Sequence, residues 1–300
     1  MKEILIVGGQ GFIGKNLAEF YRDEGYEVII TTKHHKSSES NCLILDYSKD
    51  SFLKIFQEKK YKKIFFLSGN PYPGFSFNNC NKDIDQTLIP LVNAVEALKD
   101  TSFKGDFWFA SSVAVYGKAD LEVQRETDIC NPLSNYAVVK LAGENYLKMM
   151  SLTSDLNLGS FRIFSTFGEN LKRQLIYDIF TKIKNDPYNI SLFGSGMEIR
   201  DLSYVGDQVK RIKLVADNIR PEGDIYNLGS GESTSIKSVA EEIVKIMGYG
   251  TEINFTSEYR TFDGNSWVAC MDKLEKLAPN PKSSLSDSLI KTINSLEKLQ

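Results

Sequence analysis

The chain has 300 residues, of which 42% are hydrophobic and 25% are charged. This is the composition of a globular protein, and it excludes a fibrous or intrinsically disordered chain. The formal net charge of −3 at pH 7 leaves no excess of basic residues, so we expect neither nucleic acid nor a membrane surface as a partner.

Cysteine and histidine usage excludes two further classes of protein. The four cysteines include no Cys-x-x-Cys pair, and the two histidines, His34 and His35, are adjacent. This pattern predicts neither a disulfide framework nor a bound metal ion. The sequence contains no apolar run as long as a signal peptide or a membrane span, so we expect a cytoplasmic protein.

Short β-branched strands alternate with amphipathic helices along the first half of the chain. Strands are predicted at 4–7, 27–31, 42–45, 63–67, 106–110 and 158–163, and helices at 12–24, 49–59, 83–99 and 135–150. Such alternation is typical of a parallel sheet with helices on both faces. The sequence therefore predicts an α/β fold with a Rossmann-type doubly wound parallel sheet.

A glycine cluster joins the first predicted strand to the first predicted helix. It can be read as G-x-x-G-x-x-G from Gly8 or as G-x-G-x-x-G from Gly9, and both readings end at Gly14. Glycines at these positions let the backbone approach a pyrophosphate at the positive end of a helix. Because the cluster lies between a strand and a helix, it predicts a dinucleotide site. We expect its contacts to come from Gly8, Gly11, Phe12, Ile13 and Gly14.

The alternation changes after Ser165. Single strands are predicted at 190–193, 225–228 and 252–255, among helices at 171–185, 205–218, 235–247 and 284–298. We expect residues 1–164 to form a dinucleotide-binding Rossmann domain, with later segments near 205–230 returning to it. Residues 165–300 are expected to form mainly a smaller C-terminal α/β lobe that binds the substrate.

The end of the second predicted strand indicates which dinucleotide binds. NAD-selective sites usually carry Asp or Glu there to bind the ribose hydroxyls, whereas this chain has Thr31, Thr32 and Lys33. Because a hydroxyl and a cation suit a 2′-phosphate, Thr32 and Lys33 favour NADP(H), although NAD stays possible. The alternative is that this charged segment is only a solvated loop.

Two other strand ends are expected beside the cofactor. Asp46, which is followed by Tyr47, could accept a hydrogen bond from the adenine amine, or it could only cap the turn. Residues Leu67, Ser68 and Gly69 follow the fourth predicted strand and would also contact the dinucleotide.

Tyr136 and Lys140 are four residues apart in a predicted helix. Because residues i and i+4 share a helix face, the Lys140 ammonium can favour the ionised form of the Tyr136 phenol. The phenol then becomes a proton donor or acceptor near neutral pH. With the serine pair Ser111 and Ser112 after an earlier strand, these residues indicate a hydride-transfer enzyme. The alternative is a core tyrosine and a solvated lysine.

These motifs resemble those of the extended short-chain dehydrogenase/reductases, in the group of NAD(P)-dependent epimerases, dehydratases and reductases that act on nucleotide sugars. The resemblance runs nearly end to end. Besides the glycine cluster, it is carried by the segments 66–69, 111–117, 135–140, 161–164, 194–196, 200–207 and 226–231.

The resemblance implies catalytic roles for three residues. Ser112 would hydrogen-bond the sugar oxygen at the reacting carbon, Tyr136 would exchange its proton, and Lys140 would also hold the nicotinamide ribose. A hydride would pass between the nicotinamide and that carbon. Ser112 is preferred to Ser111 because the family's reactive hydroxyl stands four residues before the tyrosine of the Val-Tyr-Gly segment.

The resemblance also implies a set of contacts to a nucleotide-diphospho-sugar. Arg200 would contact the diphosphate, and Arg260 with Asp263 would hold the pyrophosphate and the nucleoside ribose. Ser165 is expected beside the sugar. Arg260 and Asp263 could instead form only a surface ion pair of little energetic worth.

Departures from the family's patterns narrow the reaction. The dehydratases carry an Asp-Glu pair where this chain has Ala114 and Val115, and dehydration needs that acid and base. The epimerase-reductases of fucose nucleotides use a Cys near the serine and a later His, which this sequence lacks. Reduction of a 4-keto sugar and 4-epimerisation remain.

The 4-epimerases usually keep the acid of the second strand and an Asn at the position of Ser165. We therefore expect an NADP-dependent 4-ketoreductase that acts on a 4-keto, 6-deoxy nucleotide hexose, in deoxysugar and surface polysaccharide biosynthesis. The alternatives are a 4-epimerase with bound NAD and a non-catalytic NADP-binding sensor. Relatives pair the helices near 83–99 and 135–150 into a homodimer, which we expect here unless these helices only cover the sheet.

Overall fold

The structure of the protein is a computed structural model that describes residues 3–33, 41–70, 80–118, 123–258 and 266–298. Over these residues the chain divides into two compact units. Unit 1 comprises residues 1–116, 129–163 and 212–226, and unit 2 comprises residues 117–128, 164–211 and 227–300. The assignment of cofactor binding to residues 1–164 and of substrate binding to residues 165–300 stays a prediction.

Helices and strands follow one another closely along the described chain. The strands are β1 (Glu3–Val7), β2 (Glu27–Thr32), β3 (Cys42–Ile44), β4 (Lys63–Phe66), β5 (Asp106–Ser112), β6 (Asn157–Ile163), β7 (Ser165–Phe167), β8 (Asn189–Leu192), β9 (Ile199–Arg200), β10 (Leu202–Tyr204), β11 (Glu222–Leu228), β12 (Thr234–Ser235), β13 (Glu252–Phe255) and β14 (Ser266–Trp267). The α-helices are α1 (Phe12–Asp23), α2 (Lys49–Glu58), α3 (Cys80–Asp83), α4 (Ile89–Lys99), α5 (Asn135–Thr153), α6 (Gln174–Asn185), α7 (Val205–Asn218), α8 (Ile236–Met247), α9 (Asp272–Glu275) and α10 (Leu285–Glu297).

A seven-stranded sheet has the strand order β11-β6-β5-β4-β1-β2-β3. The five neighbouring pairs from β6 to β3 are parallel. The order reverses between β1 and β4, and doubly wound sheets bind ligands in the crevice beyond the carboxyl ends of the strands at such a point. The predicted α/β fold with a Rossmann-type parallel sheet is confirmed.

Helices cover this sheet because its strands are apolar on both faces. Ile4, Leu5, Ile6 and Val7 of β1 have no exposed surface. One core cluster joins the sheet to α2, α4 and α5 through residues that include Phe52, Leu91, Phe107 and Leu147. Each fully buried apolar side chain of this size contributes about 1.5–3 kcal/mol to the stability of the fold. The packed helices therefore hold the carboxyl ends of the strands in place.

The helix predicted at 83–99 is interrupted by a wider turn. Between α3 and α4, residues Ile84–Leu88 form a π-helical turn, in which the N–H of Ile89 donates to the carbonyl of Ile84. Pro90 follows in the first turn of α4. Proline has no N–H, and its ring clashes with the carbonyl four residues earlier in a regular α-helix, so the wider turn accommodates it.

Unit 2 contains short strands and a separate helical core. Its strand pairs are β7 with β10, β8 with β13, and β9 with both β12 and β14. Its core is built by α6, α8 and α10 through residues such as Phe180, Ile243 and Ile293. The helices predicted in this part of the sequence are all present. In the described ranges, none of the helices is long and apolar enough to cross a membrane.

Candidate active site

The turn between β1 and α1 is a close-packed glycine loop. Gly8 has a φ of 80°, which favours glycine. A Cβ on Gly14 would lie 2.6 Å from the Gly8 carbonyl oxygen and 2.8 Å from the Gly9 Cα. The N–H groups of Gly8 and Gly9 both donate to the Thr31 carbonyl at 3.1 Å, which ties the loop to the end of β2.

The start of α1 fits the diphosphate of a dinucleotide. Gly11 precedes the helix, and because it has no side chain it makes no side-chain cap hydrogen bond. The first N–H groups of a helix have no partner within the helix, so those of Phe12 and Ile13 are directed out of its positive end. Backbone donors without a cap are what a bound diphosphate requires.

Lys33, which directly follows β2, lies beside the aromatic ring of Tyr47. Its Nζ is 5.1 Å from the ring centroid. Tyr47 is buried, and its hydroxyl is 3.2 Å from the Thr31 Oγ1. Burial lowers the pKa of Lys33, and the nearby carboxylates of Asp46 and Asp85 act in the opposite direction. A basic side chain thus follows Thr32, the last residue of β2.

Asp46 makes the capping interaction that was the alternative to an adenine contact. Its Oδ1 accepts hydrogen bonds from the backbone N–H of Ser48 at 2.9 Å and from the Ser48 hydroxyl at 2.8 Å. Hydrogen bonds from the Ser48 backbone first, and then from Ser51 and the Ser48 side chain, lower the pKa of Asp46 to about 2. The contact from Asp46 to adenine stays a prediction.

The segment after β4, residues 67–69, packs against the glycine loop at one end and against Lys140 at the other. The N–H of Leu67 donates to the Val7 carbonyl at 2.9 Å. A Cβ on Gly8 would lie 2.8 Å from the backbone nitrogen of Ser68, and a Cβ on Gly69 would lie 3.3 Å from the Lys140 Nζ. The structure thus brings these predicted cofactor residues together in unit 1.

Tyr136 and Lys140 lie in the first two turns of α5. The helix starts after Ser134, whose hydroxyl accepts the N–H of Ala137 at 3.2 Å. The Lys140 Nζ is 5.7 Å from the centroid of the Tyr136 ring and donates to the Ala110 carbonyl at 2.6 Å. Lys140 therefore connects the tyrosine to β5, the strand that ends in Ser112.

The environment of Lys140 is apolar enough to change its ionisation. Lys140 is 4% exposed, and its Nζ also lies 4.6 Å from the centroid of the Phe109 ring. Burial lowers the pKa of Lys140 to about 7, against the opposing effect of the Asp83 and Glu144 carboxylates. A lysine that titrates near neutral pH is a recognised sign of a functional site.

The two adjacent serines have different surroundings. Ser111 is buried, and its hydroxyl donates to the Glu144 Oε1. Ser112 is half-buried, and its Oγ accepts the backbone N–H of Ala114 at 3.2 Å. Ser112 therefore has the more accessible hydroxyl, which is consistent with its choice as the catalytic serine.

A buried ion pair lies next to the serines, and the sequence did not single it out. Arg162 Nε and Nη2 donate to both carboxylate oxygens of Glu144 at 2.7–3.2 Å. The Arg162 guanidinium also lies 4.7 Å from the centroid of the Tyr116 ring. Glu144 stands four residues after Lys140, so the i, i+4 spacing that linked Tyr136 to Lys140 could have indicated it.

Apart from Ser112 and Tyr136 in unit 1, the predicted substrate residues lie in unit 2 or outside the described residues. Ser165 starts β7, and Arg200 is a buried residue of β9 whose guanidinium lies 5.1 Å from the centroid of the Trp267 ring. Trp267 is itself anchored, because its Nε1 donates to the Gly117 carbonyl at 2.9 Å. Arg260 and Asp263 fall outside the described residues, so their roles stay predictions.

Comparison with known proteins decides the family. The sequence profile described as the NAD dependent epimerase/dehydratase family matches residues 4–229, which is most of the chain. The chain belongs to this family. The resemblance to extended short-chain dehydrogenase/reductases of the nucleotide-sugar epimerase and reductase group is therefore confirmed.

Curated members of the epimerase/dehydratase family match this chain over nearly its whole length. An uncharacterized UDP-glucose epimerase of Bacillus subtilis is 26% identical, with 99% of this chain and 98% of the relative covered. A dTDP-4-dehydro-6-deoxyglucose reductase of Escherichia coli is 27% identical, with 98% and 97% covered. One of these relatives is thus named as an epimerase and the other as a reductase.

A solved structure of the epimerase/dehydratase family has the same fold. The UDP-glucose 4-epimerase of Thermus thermophilus, in complex with NAD, has a TM-score of 0.88 and 22% identity to this chain. The match covers 98% of this chain and 99% of the epimerase chain.

Proposed function

We propose that this protein reduces a nucleotide-linked 4-keto hexose to the 4-hydroxy sugar with NADPH, as an NADP-dependent 4-ketoreductase. The observation that carries the proposal is the position of Lys140. Its Nζ donates a hydrogen bond to the carbonyl of Ala110, two residues before Ser112, and lies 5.7 Å from the centroid of the Tyr136 ring. A serine, a tyrosine and a buried lysine thus belong to one part of unit 1.

The three side chains have separate roles in this proposal. The reduced nicotinamide, when bound, supplies a hydride to the C4 carbon of the sugar. Tyr136 gives its phenolic proton to the C4 oxygen as negative charge develops there. Ser112 donates a hydrogen bond to the same oxygen and orients it. The charged Lys140 stabilises the phenolate that remains on Tyr136 after the proton has left.

The glycine loop and the end of β2 support NADPH as the cofactor. The uncapped start of α1 fits a diphosphate, and the loop residues approach each other too closely for side chains. Thr32 and Lys33 offer a hydroxyl and a cation where NAD-selective members of the fold place a carboxylate. A 2′-phosphate on the adenosine ribose would complement these groups.

The proposed substrate is a nucleotide-diphospho-sugar that carries a 4-keto, 6-deoxy hexose, and the proposed role of its product is surface polysaccharide biosynthesis. Arg200 would bind the diphosphate, since a planar guanidinium matches phosphate oxygens, and Ser165 would contact the sugar. The E. coli relative is named for a 4-dehydro-6-deoxy sugar substrate, which supports this class. We also propose that the protein acts as a cytoplasmic homodimer.

A second candidate is 4-epimerisation with tightly held NAD. The B. subtilis relative is called a UDP-glucose epimerase and the T. thermophilus protein is a UDP-glucose 4-epimerase in complex with NAD, which favours this reaction. The same serine, tyrosine and lysine would serve both reactions, because each passes through a 4-ketone. The strand-two segment Thr31-Thr32-Lys33 and Ser165 favour the reductase over the epimerase.

Absorbance of the nicotinamide separates the candidates. The purified protein is mixed with NADPH, or with NADH, and a panel of UDP- and dTDP-linked 4-ketosugars. In a second assay it is mixed with NAD and the matching 4-hydroxy sugars, and the sugar products are analysed by NMR. Steady oxidation of NADPH, faster than that of NADH, is the expected result. Interconversion of 4-hydroxy sugars without net oxidation would replace the reductase by the epimerase. Dinucleotide binding with no turnover across the panel would leave only the non-catalytic sensor.

A further inference from the structure

A buried carboxylate from a different segment of the chain acts on the charge of Lys140. Asp83 is the last residue of α3 and has no exposed surface. Its Oδ1 accepts a hydrogen bond from the Asn70 Nδ2 at 2.8 Å. The proposed proton transfer does not use Asp83, and burying a carboxylate costs free energy unless charged or hydrogen-bonding partners stabilise it.

The segment that holds Asp83 also contacts Lys140. The backbone N–H of Asn70 donates to the Thr87 Oγ1 at 3.2 Å. A Cβ on Gly69 would lie 2.9 Å from that Oγ1 and 3.3 Å from the Lys140 Nζ. Asn70, which donates to Asp83, therefore directly follows Gly69, the glycine that packs against Lys140. A side chain larger than that of glycine at position 69 would push Thr87 and Lys140 away from this segment.

Two carboxylates act on the charge of Lys140 within the described part of the chain. Asp83 has the larger effect and Glu144 the smaller. Glu144 is already paired with the Arg162 guanidinium through both of its oxygens and accepts the Ser111 hydroxyl. The negative charge of Glu144 is thus largely balanced by Arg162.

We propose that Asp83 is a positioning residue of the active site, whose carboxylate keeps Lys140 charged and directed toward Tyr136 and the Ala110 carbonyl. Burial alone disfavours an ammonium, and an opposite charge close by restores it. Asp83 would thereby maintain the protonated lysine that Tyr136 needs at neutral pH. The functional part of this inference rests on the proposed role of Lys140, but the electrostatic part does not.

Titration of Lys140 in the cofactor-free protein tests the electrostatic part. Lysine side chains are labelled with ¹⁵N, and the Lys140 signal is assigned by its loss in Lys140→Gln. The Asp83→Asn variant should lower the pKa of Lys140 by about 1 unit or more. Asp100→Asn, which removes a surface partner of Lys49, should leave it unchanged. Equal Lys140 pKa values in Asp83→Asn and the wild type would overturn the proposal.

The pH profile of turnover tests the functional part. With NADPH and a 4-ketosugar that the wild type reduces, Asp83→Asn should move the alkaline limb of kcat/KM to lower pH and recover activity as the pH falls. A merely structural role would lower the rate equally at every pH, which would contradict the proposal. If the wild type reduces none of the sugars, the proposed function fails while the titration still decides the role of Asp83.

A wild-type measurement decides the matter if Asp83→Asn does not fold. The carboxyl carbon of Asp83 is observed in ¹³C-aspartate-labelled protein while Lys140 titrates. As the pH is raised, the chemical shift of this carbon should change with the same midpoint as the Lys140 signal, because the two charges interact. A carboxyl signal that stays constant through the Lys140 titration would contradict the proposal.

Discussion

The adjacent serines at the end of β5 provide a test at the scale of single residues. We expect Ser112→Ala to lower kcat/KM by about 100-fold or more, because it removes a donor to the developing oxyanion. Ser111→Ala should instead lower the free energy of unfolding by about 1–3 kcal/mol, since it takes a hydrogen-bond donor from the buried Glu144.

Steady-state kinetics and chemical denaturation of both variants measure these effects. Each serine is the matched control for the other, since the substitutions are chemically identical and one residue apart. A larger loss of kcat/KM in Ser111→Ala than in Ser112→Ala would reverse the assignment of the catalytic serine.

The low pKa of Lys140 links stability to pH. The folded-state pKa of about 7 lies below the ordinary value of 10.5, so the unfolded chain binds the proton more tightly. The resulting loss of stability is fully present below about pH 7 and is relieved as the pH rises toward 10.5. We expect the free energy of unfolding of the cofactor-free wild type, relative to Lys140→Met, to increase from pH 7 to pH 10.

Urea denaturation of the two proteins across this pH range measures the difference. Subtracting the free energy of unfolding of Lys140→Met from that of the wild type removes the contributions of the titrating groups that the two proteins share. A flat difference would mean that Lys140 keeps its ordinary pKa in the folded protein, and a difference that falls with rising pH would mean that folding raises this pKa; either result would contradict the prediction.

Local spacing explains which residues of the site could be predicted. Tyr136 and Lys140 are i and i+4 on α5, so their proximity follows from helix geometry alone. Asp83 and Asn70 approach Lys140 only through the packing of α3 and of the segment after β4. Glu144 is i+4 from Lys140 on α5, but its partner Arg162 is 18 residues further along the chain and reaches it only through packing. Contacts between distant segments cannot be read from spacing.

At the scale of elements, the start of α5 determines where the tyrosine and the lysine stand. Ser134 caps this helix, and Ser284 caps α10 in the same way. We expect Ser134→Ala and Ser284→Ala each to lower the free energy of unfolding by about 1 kcal/mol. Only Ser134→Ala should also lower kcat/KM, because fraying of the first turn displaces Tyr136.

Thermal unfolding and kinetics on both variants provide the comparison. Ser284 is the control for the loss of an equivalent cap far along the sequence from α5. If both substitutions reduced kcat/KM to the same extent, the position of the first turn of α5 would not be what limits catalysis.

The elements themselves were predictable where periodicity is long and local. The strands β1, β2 and β4 and the helices α1, α2 and α7 lie within two residues of their predicted bounds. The π-helical turn before Pro90 was missed, because the sequence pattern over 83–99 is that of one helix. Strands of two or three residues, such as β9 and β12, are too short to show alternation and form by pairing with distant segments.

At the scale of the whole molecule, exposed apolar residues on α5 support a homodimer. Val138, Met149 and Leu152 are 50%, 46% and 75% exposed, and their spacing places them on one face of the helix. We expect the wild type to sediment as a dimer and Met149→Glu with Leu152→Glu to sediment as a monomer, because two buried charges would oppose association.

Tyr188→Glu is the control for this measurement, since Tyr188 is 82% exposed in unit 2 and away from α5 in the sequence. Sedimentation velocity of this variant should still show a dimer. A monomeric wild type, or a dimer that persists in the double variant, would rule out association through this face.

The type of sheet could be predicted from the sequence, but the division of the chain between the two units could be predicted less well. Alternating strands and helices predicted a parallel doubly wound sheet, and the observed order reverses at β1 and β4 as that class requires. The inclusion of residues 117–128 in unit 2 was not predicted. The N–H of Gln124 donates to the Val268 carbonyl there, and a contact across that many residues leaves no periodic signal in the sequence.

Transfer of deuterium tests the central claim most directly. The protein is incubated with NADPH deuterated at C4 of the nicotinamide and with dTDP-4-dehydro-6-deoxyglucose, and the sugar product is analysed by mass spectrometry and NMR. The account predicts a product one mass unit heavier, with deuterium at C4 of the sugar, and a greatly reduced yield with Tyr136→Phe. Absence of deuterium at C4, or undiminished transfer by Tyr136→Phe, would contradict it.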